Sequence, residues 1–203
     1  MGLIAVSAFA ADARVDALLK EVESHYNQAK TLQVLFQEDY TAPGKARATD
    51  RGILMLRKPG RMRWDYSQPA GKWVVSDNKS LYVYTPADHK AHQLPLQESD
   101  DMKAPLAFLL GKLDFSREFK NLQSHQEGFD TRITGEPKTD NLPYSAVEFL
   151  ITRDSRIREV KVTGFDNSVI DFVFDQERLN PTLDPKLFQF QLPKGAELVQ
   201  AGQ

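Results

Sequence analysis

Cysteine is absent from the 203 residues. That removes disulfide bonds, thiol nucleophiles and thiolate metal sites. It also removes acylation of the chain itself at a signal-cleavage cysteine. Histidine is scarce, at four residues. His25 and His125 stand alone; His89 and His92 lie three apart beside Asp88, without the third ligand that a metal site needs, and read as a solvated strand edge. There is no G-x-S-x-G elbow, no glycine-rich phosphate loop and no H-E-x-x-H pair. Asp100 and Asp101 sit where they would cap a helix starting near Ala104. No enzyme, no cofactor and no metal is therefore expected. Charge of one sign is lacking as well. Lys plus Arg is 26 and Asp plus Glu is 28, a net charge of −2, without the basic excess of a nucleic-acid binder. No apolar run reaches the roughly 18 residues of a membrane-spanning helix, and mean hydropathy is −0.47.

What is present starts at the N-terminus. Residues 2–10 are apolar and uncharged and end in Ala8-Phe9-Ala10, small residues at the −3 and −1 positions of a secretory cleavage site. Residues 1–10 are expected to be the remnant of an export segment, leaving 11–203 as a single domain of even composition in the periplasm. Val15, Leu18, Leu19, Val22, Tyr26 and Ala29 recur at helical spacing, which predicts a helix over Asp12–Lys30. The period then becomes two. Strands are expected at 31–40, 52–57, 61–66, 73–76, 81–84 and 90–96, with turns at 41–50, 58–60, 67–71 and 77–80. Residues 104–112, APLAFLLGK, predict a short helix apolar on more than one side. Residues 113–123 allow another short helix. Further strands are expected at 129–134, 145–153, 157–164, 168–175 and 187–192. Residues 60–86 hold both tryptophans and three tyrosines with no catalytic group among them.

Several blocks carry a resemblance. LRKPGRMRWDYSQP (56–69), VVSDNKSLYVYTP (74–86), APLAFLLG (104–111), FQFQLPKGAELV (188–199) and Leu35-Phe36-Gln37 stand in the order found in the outer-membrane lipoprotein carrier family LolA. The resemblance implies an α+β fold: an unclosed, strongly curved antiparallel β-barrel of about 11 strands, with helices covering the concave face as a lid. It implies a periplasmic carrier of acylated lipoproteins. Such a carrier takes its cargo from the inner-membrane transporter LolCDE and passes it to the outer-membrane receptor LolB. LolB shares the fold but is normally itself a lipoprotein, so the missing cysteine favours the carrier. The family usually has Arg before the proline of its R-P pair, holding the lid through backbone carbonyls. Here Lys58 takes that place, preceded by Arg57, and an ammonium replaces a planar fork of donors. Asp77-Asn78 stands for the common D-G, and Asn tolerates the positive φ that the turn needs.

Acyl chains require a dry cavity between sheet and lid, because each methylene withdrawn from water is worth about 0.8 kcal/mol. The expected lining is Leu54, Leu56, Met62, Trp64, Val74, Leu81 and Val83 from strands, and Leu106, Phe108 and Leu109 from the lid. A one-residue change of facing would exchange Leu54 and Leu56 for Ile53 and Met55. Two functions remain in view: a monomeric lipoprotein carrier, and a periplasmic lipid- or lipoprotein-binding sensor or accessory module of the same fold.

Overall fold

Two antiparallel meanders, zipped together by one strand from each and extended by a twelfth strand at one edge, make a single curved, unclosed sheet. The computed structural model describes residues 5–95, 113–139 and 142–200. The helix α1 spans Ala5–Asn27. The first meander comprises β1 (Thr31–Thr41), β2 (Ala48–Arg57), β3 (Arg61–Gln68), β4 (Trp73–Asp77), β5 (Ser80–Thr85) and β6 (Lys90–Pro95). A single-turn helix, α2 (Phe115–Glu118), leads into β7 (Phe119–Glu127), β8 (Asp130–Pro137), β9 (Tyr144–Ile151), β10 (Ile157–Gly164) and β11 (Val169–Leu179). β1 pairs with both β2 and β11, joining the halves. A last strand, β12 (Glu197–Gln200), lies parallel to β6 and covers that edge.

Alternation sets the register. Across the ladders, Val34 faces Leu54, Leu54 faces Trp64, Trp64 faces Val74 and Val74 faces Val83. These side chains share the concave face, with Phe36, Met62, Leu81, Val160 and Phe172. Gly52 sits on the same row, opposite Phe36 and Tyr66. A Cβ there would collide with the Asp65 carbonyl of the neighbouring strand and lie 2.8 Å from the Phe36 ring, so glycine is required for both to come this close. Asn78 adopts φ 83° in the β4–β5 turn, and Asp77 Oδ1 accepts from Lys79 N (2.9 Å) and Ser80 N (2.8 Å).

The differences from the sequence expectations have physical causes. The helix begins at Ala5 rather than Asp12, since the Ala-rich stretch continues the same helical run. β7 was not expected, because Lys-Asn-Leu-Gln-Ser-His-Gln-Glu has no apolar alternation; it is an exposed edge strand. β11 runs four residues beyond the expected Asp175, carried past polar residues by a register shift against Gln33–Leu35. The strand expected at 187–192 is instead a 3-10 turn, Pro185–Phe188, followed by an extended segment, and the final strand comes later and runs parallel. The helix expected at 104–112 lies outside the described residues.

Candidate functional site

One end of the concave face is plugged by α1. Leu19, Val22 and Tyr26 are buried and join Leu32, Leu54, Leu56, Ile151, Ile157 and Val160 in one core. Polar groups at this end are paired. Tyr26 Oη donates to Glu177 Oε2 (2.7 Å) and accepts from Ile157 N (2.9 Å). His25 Nε2 lies 2.8 Å from Glu177 Oε1. Burial, and then the Glu177 carboxylate, push the Tyr26 phenol well above its usual range. Asn27 bridges to the backbone of Leu113 through both side-chain atoms, at 2.8 and 2.7 Å, and Glu23 accepts from Phe115 N (2.8 Å). Lys58 Nζ donates to the Tyr26 carbonyl in the last turn of α1 (2.7 Å), which also accepts from Ala29 N (3.1 Å). Burial lowers the Lys58 ammonium from its ordinary value.

Away from α1 the same face opens into a cavity of about 740 Å³. Its depth is formed by Leu81, Met62 and Trp64, which are buried, and by Phe172 and Val162 from the second meander. Further out come the half-buried Val74, Val83, Tyr66 and Ile170. At the rim stand Lys72, Glu38, Thr85, Asp166 and Ser168, with Phe165 70% exposed on the β10–β11 turn. The floor is aromatic. The Phe36 ring meets Trp64 (4.7 Å) and Tyr66 (5.1 Å) edge-on, Trp64 meets Phe172 (5.8 Å), and Phe172 stacks on Phe174 (6.1 Å). Tyr144 also lines the wall, its phenol pushed up to about 12 by burial and then by Glu118.

Of the residues expected from sequence, Met62, Trp64, Val74, Leu81 and Val83 are brought together around this cavity. Leu54 and Leu56 share their face but are 1% and 4% exposed and lie in the core beside α1, away from the cavity. Ile53 and Met55 lie in alternate positions, on the other face. Leu106, Phe108 and Leu109 fall outside the described residues. Arg57 ends β2, opposite Thr31 and Arg61, while Lys58 makes the helix contact above. Sequence reasoning missed Tyr66, Val162, Ile170 and Phe172. The alternation at Ile170-Phe172-Phe174 was the available signal, but it does not reveal which strands curl to face one another.

The convex face differs. Trp73 stacks on Tyr84 (5.4 Å), and Phe190 of the C-terminal segment stacks on Tyr82 (4.0 Å) and meets Trp73 (6.0 Å). Arg63 donates to the Leu187 carbonyl (3.1 Å) and pairs with Asp65. The aromatic residues of 60–86 are thus divided: Trp64 and Tyr66 face the cavity, while Trp73, Tyr82 and Tyr84 anchor a strap. Farther along, Arg132 is paired with Glu127 and Glu159, which raises its pKa. Hydrogen bonds from Arg47 first, and from Thr49 and Gln37, hold Asp39 down at about 2. Asp171, its ladder partner, is raised by burial and by Glu159. Among the described residues no three His, Asp or Glu gather to hold a metal, and no helix is long and apolar enough to cross a membrane.

The model of the family "Outer membrane lipoprotein carrier protein LolA" matches residues 27–191. The chain belongs to the LolA family. A curated relative, the outer-membrane lipoprotein carrier protein of Chromobacterium violaceum, is 28% identical, covering 94% of this chain and 90% of its own. The protein of the same name from Nitrosomonas europaea is 25% identical over 90% of this chain and 88% of its own. Among solved structures, an uncharacterized conserved protein from Thermus thermophilus superposes with a TM-score of 0.55 at 14% identity, covering 92% of this chain and 99% of its own, a likeness of fold. In this LolA chain the residue before the proline is lysine, and its described contact is with the end of α1.

Proposed function

We propose that this protein carries acylated lipoproteins through the periplasm from the inner to the outer membrane. The acyl chains occupy the concave cavity and the polypeptide of the cargo remains outside. One observation carries this: a 740 Å³ cavity, apolar and aromatic in its depth, continuous with the core and open at one end. Its size falls within the range of about 300–1,000 Å³ typical of small-molecule sites. Membership of the LolA family supports the choice of cargo. Met62, Trp64, Val74, Leu81 and Val83 form the proposed chain-contacting wall. The apolar stretch 104–112, with Leu106, Phe108 and Leu109, is assigned by its sequence to cover it. Lys58 is the proposed latch, acting on α1. Residues 11–203 are the binding unit, behind a remnant export segment at 1–10. LolCDE is the proposed donor and LolB the proposed acceptor of cargo. The work is binding and release, with no bond made or broken.

A carrier must also let go. Acyl chains enter a cavity whose deep wall is already buried among protein atoms, so the net gain is less than full transfer from water. That is compatible with hand-over to a receptor.

The two tryptophans make the test simple. Trp64 lines the cavity and Trp73 lies on the other face. Acyl chains brominated along their length quench a tryptophan that they touch. Brominated lipoprotein should quench the Trp73→Phe protein, in which Trp64 is the reporter, and leave the Trp64→Phe protein bright. Quenching of Trp73 alone, or of neither, would refute the assignment.

A further inference from the structure

The convex face behind the cavity carries one unmet polar atom. Asp171 Oδ1 is closed off from solvent and has no hydrogen-bond partner. Asp171 lies on β11 between two ladder partners, Asp39 on β1 and Lys161 on β10. The donors around it are committed elsewhere. Asp39 Oδ1 accepts from Thr49 Oγ1 and from Arg47 Nε (3.3 Å), and Asp39 Oδ2 from Gln37 Nε2 (2.9 Å) and Arg47 Nη2 (2.7 Å). Four donors fill a carboxylate. Arg51, on β2, donates to Gln37 Oε1 (2.9 Å). Lys161 Nζ lies 3.7 Å from Glu159 Oε1 on its own strand. Arg132, on β8, pairs with Glu127 and Glu159, and Glu148 of β9 stands 3.7 Å from it. The β1–β11 ladder that holds Asp39 and Asp171 is the seam between the two meanders. Ile170 and Phe172, the chain neighbours of Asp171, line the cavity on the other side.

We propose that Asp171 is a proton-operated clasp on this seam: ionised, it loosens the β1–β11 ladder, and on taking up a proton it firms it. The clasp goes beyond the carrier reading and does not depend on what the cavity holds. Like charges placed directly opposite in a ladder weaken it. A carboxylate withdrawn from water without a donor is costly, and the neutral acid far less so. Asp39 cannot take the proton, because its four donors hold it ionised, down at about 2. Burial first, and then Glu159, raise Asp171 above its ordinary value of 3.8. The folded chain therefore binds this proton before the unfolded chain does. The penalty of the unpaired charge is present at neutral pH and is lifted as pH falls through the raised value. The wall of the cavity formed by β1 and β11 is thus firmer in mild acid.

Carbon NMR of the side-chain carboxyls in the full, unaltered chain reads the proton directly. The Asp171 signal should titrate above 3.8 and the Asp39 signal well below it. An Asp171 midpoint at or below 3.8 would overturn the clasp. Over the pH range in which the Asp171 signal moves, amide exchange in β1 and β11, corrected for its intrinsic pH dependence, should slow about fivefold, the size of one polar contact. Equal or greater slowing in β3–β5 would place the effect elsewhere and overturn the seam assignment. Asp171→Asn keeps the shape and stays neutral at every pH. At neutral pH it should raise the urea midpoint by about 0.5 M over the unaltered chain. That lead should shrink as pH falls, and the pH dependence of exchange in β1 and β11 should disappear. A lead that does not change with pH would overturn the proposal, since the gain would not come from the proton. So would an Asp171→Asn chain less stable than the unaltered one at neutral pH, which would mean that the charge supports the seam.

Discussion

Leu54 and Val83 lie on the same face of the same sheet and meet different surroundings. Leu54 sits beside α1 at 1% exposure, in a core where the buried phenol of Tyr26 and the carboxylate of Glu177 are mutually satisfied. Val83 is half-buried on the wall of an open cavity. Side-chain type does not separate the two regions, since both are built of Leu, Val, Met and aromatic residues. Cover separates them. Where the helix lies on the sheet, apolar residues become core; where it does not, they become a binding surface. One end therefore contributes most of the stability, and the other is free to hold a ligand.

That division can be broken by experiment. The largest effect is expected from Leu54→Ala, which should cost about 3 kcal/mol in urea unfolding, the usual range for an emptied core site. Tyr26→Phe comes next, at about 2 kcal/mol, because Glu177 loses a donor and Ile157 N loses an acceptor, both out of water. Lys58→Met should cost about 1 kcal/mol and speed amide exchange in the last turn of α1, with exchange in β3–β5 unchanged. Faster exchange throughout the sheet would mean that Lys58 supports more than the helix. Smallest is Val83→Ala, at about 0.5 kcal/mol in the empty protein. Its effect should appear instead in weaker quenching of Trp64 by brominated acyl chains. A cost for Val83→Ala as large as that for Leu54→Ala would erase the distinction between the two ends.

Much of the fold was legible because alternation is a strong signal. β10 ends where expected, and the shared facing of Leu54, Leu56, Met62 and Trp64 holds across the ladders. β7 was not legible, because an exposed edge strand with polar residues on both sides has no period to read. The C-terminal segment misled for the opposite reason. Phe188, Phe190 and Leu192 alternate as in a strand, yet Phe188 is buried, Phe190 stacks on Tyr82, and Leu192 is 44% exposed. A strap that follows a curved surface can place alternate residues inward without a ladder. For the cavity, the first meander was readable and its opposing wall was not. Val162, Ile170 and Phe172 reach it only through curvature, a property of the whole sheet rather than of any window of sequence.

The strands β7 and β12 end the sheet without meeting one another. In a closed barrel, strand number and shear fix the radius, so the interior has one size. An open ribbon has no such closure condition. Small changes of twist, shared over all its ladders, widen or narrow the trough while every backbone hydrogen bond stays made. The gap in the ring thus gives the protein an adjustable bore, suited to guests that differ in the number and length of their tails.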